Sequence, residues 1–395
     1  MFDITAISLN QAKNYYAEDD YYSKLEHEKM LPIVGGDFQT FGLSEKFDYQ
    51  QYLAGLLGKF PNDELAVQQK FDPRRAVYDC RFSAPKSFGI AALVAGDDRI
   101  IDAHQKAVAK AMEFIADKAR VRVKSGGDVD YQECKTTWTS FGHAFSRRGD
   151  PDLHTHNALC KYAVDAEGRL RAIDNRLMMQ AQKEASAIYN TELVKLAQEA
   201  GYSIVETKNG PELEGYHTRE TIELFSNGQK AINDRLVELG IDPARATPEQ
   251  RQKANNDTRS KKKDSYDHAS AQQWWRDQAA ANGIAMVTPS KTPVASEKME
   301  AKQAVEKALD HLSERDFIIP SRYQLAYESA RASGWTANVE EIDQEITARI
   351  QSGELIMRQG GVKMTSKRSA GPLADQSASG SGAWNSGLMR TFANS

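Results

Sequence analysis

His143-Ala-Phe-Ser-Arg-Arg-Gly-Asp-Pro-Asp-Leu-His154-Thr-His156 is the stretch on which the reading of this chain turns. It predicts two strands, at about 135–146 and 153–164, joined by the turn-rich Arg147-Arg148-Gly149-Asp150-Pro151-Asp152, with a third strand at about 169–173 after the Glu167-Gly168 turn. Side chains at i and i+2 of a strand share a face, so His154 and His156 project together. A turn centred near Gly149-Asp150 places residue 143 opposite 156, bringing His143 beside the pair on the same face, with opposed Cβ atoms ~4.5–5.5 Å apart. Three imidazoles so gathered match a three-histidine metal site with room for a substrate oxygen. A lone histidine is more often structural, but three of the eight in this chain fall within these 14 residues. His104 lies on an apolar helical stripe and is expected to be a core residue.

Working outward, Phe2 to Leu9 reads as a strand running into a helix over Gln11–Tyr16. An acidic, tyrosine-rich segment follows, containing Tyr15, Tyr16, Tyr21 and Tyr22. Residues 76–82 alternate, with Tyr78, Cys80 and Phe82 on one face and Val77, Asp79 and Arg81 on the other, which predicts a half-buried strand with Asp79 on its more polar side. The strand ends at Ser83-Ala84-Pro85-Lys86-Ser87, a turn and helix start. A long helix capped by Asp97 or Asp98 buries Ile101, His104, Val108, Ala111 and Ile115. This middle section predicts an antiparallel sheet packed with helices, an α+β fold.

From about 180 the pattern turns mostly helical, at 183–200, 218–226, 229–239, 248–256 and 268–281, interrupted by a hairpin with Asn209-Gly210 at its turn. Arg259-Ser260-Lys261-Lys262-Lys263 is the one dense basic cluster, a solvated linker or a phosphate contact. Residues 296–365 read as a small module of three helices (about 296–314, 321–333 and 338–352) and a hairpin turning at Arg358-Gln359-Gly360-Gly361, the pattern of a winged helix or of a generic helical docking domain. From Ser366 the Gly/Ser/Ala-rich composition predicts a disordered tail.

The chain has 395 residues, 40% of them hydrophobic and 27% charged, with a net charge of −4. That length suggests two or three domains and leaves ample apolar material for a core. No apolar run approaches the ~18 residues that span a bilayer, and the N-terminus lacks a secretory signal pattern. Cys80, Cys134 and Cys160 are too few and too scattered for a disulfide framework, which predicts a reducing cytoplasm. The slight acidic excess argues mildly against nonspecific coating of nucleic acid, but a local basic cleft can still bind it. No GxxxxGK[ST] occurs, so no P-loop motor is expected.

Tyrosine, with a pKa of ~10, is a poor nucleophile at neutral pH. It serves where a phosphoester bond is conserved rather than hydrolysed, provided a metal polarises the phosphate. Joined to a three-histidine site, the tyrosine segment points to DNA strand transfer by transesterification.

The element Asp152-Leu153-His154-Thr155-His156, the upstream His143, the two Tyr-Tyr pairs and Phe82-Ser83-Ala84-Pro85-Lys86-Ser87 together resemble the conjugative relaxases of the MobF class, within the HUH endonucleases. The resemblance runs in the same order from the N-terminus to about residue 290. It implies an antiparallel sheet palm with flanking helices (residues 1–290) and helical fingers (about 180–290) that clamp DNA. Tyr15 would attack the phosphate at the nic site of plasmid transfer-origin DNA. Tyr21 would serve the rejoining step, with Tyr16 and Tyr22 as further candidates. His143, His154 and His156 would hold one divalent ion, Mg²⁺ or Mn²⁺. Asp79 would hydrogen-bond a metal-binding histidine or assist tyrosine deprotonation. Arg74, Arg75, Lys86, Arg147 and Arg148 would contact phosphates, and bases would stack on aromatics. Accessory relaxosome proteins and a type IV secretion coupling protein are the implied partners, with a cytoplasmic location in the donor cell and no membrane insertion.

Two departures stand out. Ala144-Phe145 follows the first histidine where relatives often carry an acid and Thr. The helicase typical of the class is absent, and residues 296–365 resemble the piece leading into it, so truncation is one reading of the chain. Rival readings are a rolling-circle replication initiator, a non-catalytic DNA-binding regulator using the winged-helix-like module, and a metal-dependent hydrolase that uses water.

Overall fold

The computed structural model describes residues 2–15, 29–65, 76–125, 127–258, 268–313, 318–319, 321–358 and 361–364. Its centre is a five-stranded antiparallel sheet in the order β1-β3-β7-β6-β2. The strands are β1 (Phe2–Ile7), β2 (Ile33–Gly36), β3 (Val77–Ser83), β6 (Thr137–Phe145) and β7 (Pro151–Cys160). A second sheet, β5-β4-β9-β8, combines β4 (Arg120–Ser125), β5 (Asp128–Gln132), β8 (Tyr162–Val164) and β9 (Leu170–Asp174).

The central sheet has two differently used faces. Tyr78, Cys80, Phe82, Leu153 and Leu159 belong to the main core, shared with helices α4 (Asp98–Asp117) and α6 (Gln182–Glu199). Asp97 caps α4, accepting from the Arg99 backbone N–H at 3.1 Å, and the expected stripe Ile101, His104, Val108, Ala111 and Ile115 is buried. On the opposite face, Val77, Phe141 and Ala158 pack with Ala12 of α1 (Leu9–Tyr15) and Leu56 of α2 (Tyr49–Leu56). That face carries the three histidines. Between β3 and α4 the chain forms a short helix, α3 (Lys86–Gly89), and a π-helical turn at Ile90–Val94.

Three expectations are corrected. Residue 143 pairs with His154, not 156, and Phe141 pairs with His156. The reason is a bulge between His143 and Phe145 and a turn over 146–150 closed by Ser146 N–H to Asp150 O at 2.9 Å, which centres it near Arg148. A shift of two residues preserves side-chain parity, so the histidines still share a face. The second predicted strand divides at Lys161 into β7 and β8, which join different sheets. Gly210, expected in a turn, instead begins the strand Gly210–Leu213 and pairs with Thr207, leaving Lys208-Asn209 as the two-residue connection. Strands β2, β4 and β5 were not anticipated, although Arg120-Val-Arg-Val-Lys124 has the period-2 alternation of a half-buried strand.

Beyond β9 come α5 (Arg176–Gln180), the hairpin β10 (Ile204–Thr207) and β11 (Gly210–Leu213), α7 (Arg219–Leu224), α8 (Asn227–Glu238), α9 (Pro248–Asp257) and α10 (His268–Ala281). The last described part holds α11 (Ala301–Ser313), α12 (Arg322–Ala332) and α13 (Val339–Gln351), with β12 (Ile318–Ile319), β13 (Leu355–Arg358) and β14 (Gly361–Met364) in the order β12-β14-β13. Helix α12 packs on α6, and Arg331 and Trp335 both bond Glu206 of β10, at 2.8 and 2.6 Å.

Glu184, in the first turn of α6, is 3% exposed. Burial, reinforced by Asp343 and opposed by Lys118 and Arg322, pushes its carboxyl up to about 7 from an ordinary 4.5. Between those values the folded state holds the proton more tightly than the unfolded chain, so stability falls as pH rises through that window. Glu184→Gln is therefore expected to raise unfolding free energy by about 3 kcal/mol at pH 8 and by little below pH ~4.5. Denaturant unfolding of both proteins at the two pH values checks this, and a pH-independent difference would remove the assignment.

Candidate active site

His143, His154 and His156 are buried, at 5%, 9% and 3% exposure. Their ring centroids stand 5.1 Å apart for 143–154, 5.4 Å for 143–156 and 5.3 Å for 154–156. Three imidazole nitrogens at ~2.1 Å from one ion require centroid spacings of roughly 5 Å. Among the described residues no three of His, Cys, Asp and Glu already present their donor atoms to one point, so ring rotation has to complete such a site.

The second nitrogens set the tautomers. His156 Nδ1 lies 2.9 Å from both Asp79 oxygens, and His154 Nδ1 lies 2.7 Å from the Asp152 carbonyl. A carboxylate and a carbonyl only accept, so Nδ1 carries the proton in both rings and Nε2 presents the lone pair. Burial holds His154 down to about 4, against the raising influence of Asp152. Burial also lowers His156, with Asp79 opposing. Neutral imidazoles that keep the Nε2 lone pair are the donor chemistry a divalent ion needs.

Asp79 thus sits where its strand parity placed it, with both oxygens on His156. On the far face, Thr155 between the two histidines is 2.9 Å from His104 Nε2, and His104 Nδ1 is 2.8 Å from the Tyr189 hydroxyl. Burial drives His104 down to about 3, keeping it a neutral bridge from α4 to β7 and α6.

Helix α1 lies on the histidine face through Ala12 and ends at Tyr15. Tyr16, Tyr21, Tyr22, Arg74, Arg75, the 259–263 cluster and the tail from 366 lie outside the described residues. Of the remaining phosphate-contact candidates, Lys86 directs its ammonium to the Pro151 carbonyl at 2.8 Å, Arg148 reaches the Thr258 carbonyl at 2.7 Å, and Arg147 is exposed. Ser87, half of the Lys86-Ser87 pair, is buried and donates its backbone N–H to Glu212 at 3.0 Å. Sequence reading missed Asp152 as a partner of His154, Glu212, and the helical residues that hold the 146–150 turn. Only Asp152 carried a local signal, its carbonyl lying two residues before His154.

No helix among the described residues is long and apolar enough to cross a membrane. Residues 9–282 match the TrwC relaxase family. The chain is 29% identical over 339 residues to the multifunctional conjugation protein TraI of Escherichia coli, a match covering 78% of this chain and 18% of the relative. The chain thus spans under a fifth of that relative's length. Among solved structures, it is similar to a metal-bound conjugative relaxase TrwC in complex with oriT DNA, at 29% identity and a TM-score of 0.67, covering 73% of this chain and 100% of that one. It is similar also to TrwC complexed with a 27-mer DNA comprising the recognition hairpin and the cleavage site, at 28% identity and a TM-score of 0.64, with the same coverage. With the matched span running through palm, histidine hairpin and the helices beyond, this chain belongs to the TrwC relaxase family.

Proposed function

We propose that this chain nicks one strand of plasmid transfer-origin DNA at a specific site and later rejoins it, by transesterification onto tyrosine. The observation that carries the reading is the gathering of three imidazoles on the sheet face against which α1, ending at Tyr15, packs through Ala12. The Tyr15 phenolate oxygen forms a bond to the scissile phosphorus as the bond to the 3′ oxygen breaks. The products are a 5′-phosphotyrosine and a free 3′-hydroxyl, whose oxygen takes up a proton. Tyr21 is the candidate for the second transfer, with Tyr16 and Tyr22 behind it.

His143, His154 and His156 would hold one divalent ion, Mg²⁺ or Mn²⁺, and Mn²⁺ suits an all-nitrogen set better of the two. Bound there, the ion supplies charge stabilisation at the non-bridging phosphate oxygens. Asp79 keeps His156 in the ligating tautomer. With both its oxygens on Nδ1, that role is better supported than deprotonation of tyrosine. Arg147, exposed at the hairpin turn, remains a phosphate-contact candidate. Accessory relaxosome proteins, a secretion coupling protein and a cytoplasmic site of action accompany the reading as proposals.

The regulator reading is disfavoured by α13. The third helix of a winged helix is the one offered to a DNA groove. Here it carries Glu340, Glu341, Asp343 and Glu345 and turns Val339, Ile342, Ile346 and Arg349 inward.

The test is incubation with Mn²⁺ and single-stranded transfer-origin DNA, followed by denaturing electrophoresis. A shifted protein band carrying the 5′ end of the cut strand is expected. Free nicked product without adduct would establish the hydrolase instead, and binding without cleavage the regulator.

A further inference from the structure

The turn joining the two histidine strands is gripped from the helical region beyond the palm. Asp150 is 4% exposed. Its carboxylate accepts from the Asn227 side-chain amide at 2.7 Å and the Gly228 backbone N–H at 3.3 Å, both at the start of α8, and from the Ser146 hydroxyl at 3.1 Å. The neighbouring Gly149 carbonyl accepts the indole N–H of Trp275, from α10, at 3.0 Å. Trp275 is fully buried and its ring packs 5.2 Å from that of Phe145, at the end of β6.

Helix α10 also holds the other flank of β7. Arg276 donates to the Val94 and Ala95 carbonyls at 2.8 and 3.0 Å, ending the π-helical turn. Such turns are rare and concentrate at functional sites. The short helix leading into it is tied to Pro151, the first residue of β7, through the Lys86 ammonium. His154 lies three residues further on.

The 146–150 turn closes by its own backbone bonds, so the grip from α8 and α10 is not needed to form it. What the grip fixes is the position of the turn relative to the helices. Since His143 pairs directly with His154 across this hairpin, displacing the turn displaces one ligand against another. A shift of about 1 Å at a reacting centre costs on the order of 100-fold in rate.

We propose that Asp150 and Trp275 are positioning residues: they latch the histidine hairpin to the helices of residues 219–281 and so set the metal affinity of the three imidazoles. The proposal rests on the metal role of the histidines given above. Neither residue is a catalytic one; each acts through the turn.

Two variants of the full chain test it. Trp275→Phe keeps a ring and removes the N–H, and Asn227→Ala removes the shortest bond to Asp150 from an exposed position. Mn²⁺ affinity is read by calorimetry without DNA, adduct formation in single turnover with saturating single-stranded DNA, DNA affinity without metal, and Tm. Both variants are expected to bind Mn²⁺ about tenfold more weakly and to form adduct about 10–100-fold more slowly. Excess Mn²⁺ should restore most of the rate, with metal-free DNA affinity unchanged. Parent-like Mn²⁺ affinity in both folded variants overturns the latch, as does a rate loss that tracks Tm and resists excess metal. Weaker Mn²⁺ binding in the variants of a parent that forms no adduct upholds the latch and sinks the relaxase reading alone.

Discussion

Tyr15→Phe is expected to abolish the covalent protein–DNA adduct while leaving single-stranded DNA binding and stability nearly unchanged. Phenylalanine keeps the ring and loses the one oxygen that can bond to phosphorus. Removing a nucleophile costs far more than removing a positioning contact, so a loss of at least about 10³-fold is expected. The helix that ends at Tyr15 packs on the site's face: Ala12 of α1 is buried against Val77, Phe141 and Ala158, on the strand face that Asp79 and the histidines share. A metal-polarised phosphate compensates for a phenol that is only slightly ionised near neutral pH. Denaturing electrophoresis with peptide mapping reads the result. An undiminished adduct on Tyr16, Tyr21 or Tyr22 would transfer the nucleophile to that residue and leave the histidine site standing.

Side-chain placement was legible where it depends on parity. Parity alone put His154 with His156 and Asp79 on the polar face of β3, and both placements survive a register that differs by two residues. The register itself was not legible. It depends on a bulge after His143 and on where the 146–150 turn closes, and Gly149-Asp150 offers equally good turn chemistry one position away. Amphipathic α4 was legible down to His104 on its stripe, because a 3.6-residue period over 20 residues is a strong signal. The latch on the turn was not. Asn227 and Trp275 reach it from 77 and 126 residues away, and nothing local in either segment announces a partner at that distance.

His154→Ala is expected to reduce Mn²⁺ affinity by more than about 100-fold, beyond the range seen when only an orienting partner is lost. One of three imidazole donors goes, and two imidazoles hold a divalent ion poorly. Asp79→Asn separates ligation from orientation. Burial lowers the pKa of His156 and Asp79 works against it, so removing the carboxylate leaves the ring neutral and makes it a weaker base. Any loss of affinity in this variant therefore cannot come from protonation of His156. It comes from weaker donation through Nε2, and from the share of rings that flip tautomer when the asparagine amide offers an N–H to Nδ1. A 10–100-fold loss is expected, intermediate between parent and His154→Ala. Calorimetric titration at neutral pH on all three proteins orders them. Parent-like affinity in His154→Ala would take the ion away from the histidines. A loss in Asp79→Asn as deep as that of His154→Ala would mean that the carboxylate itself ligates, a geometry at odds with both its oxygens lying 2.9 Å from His156 Nδ1.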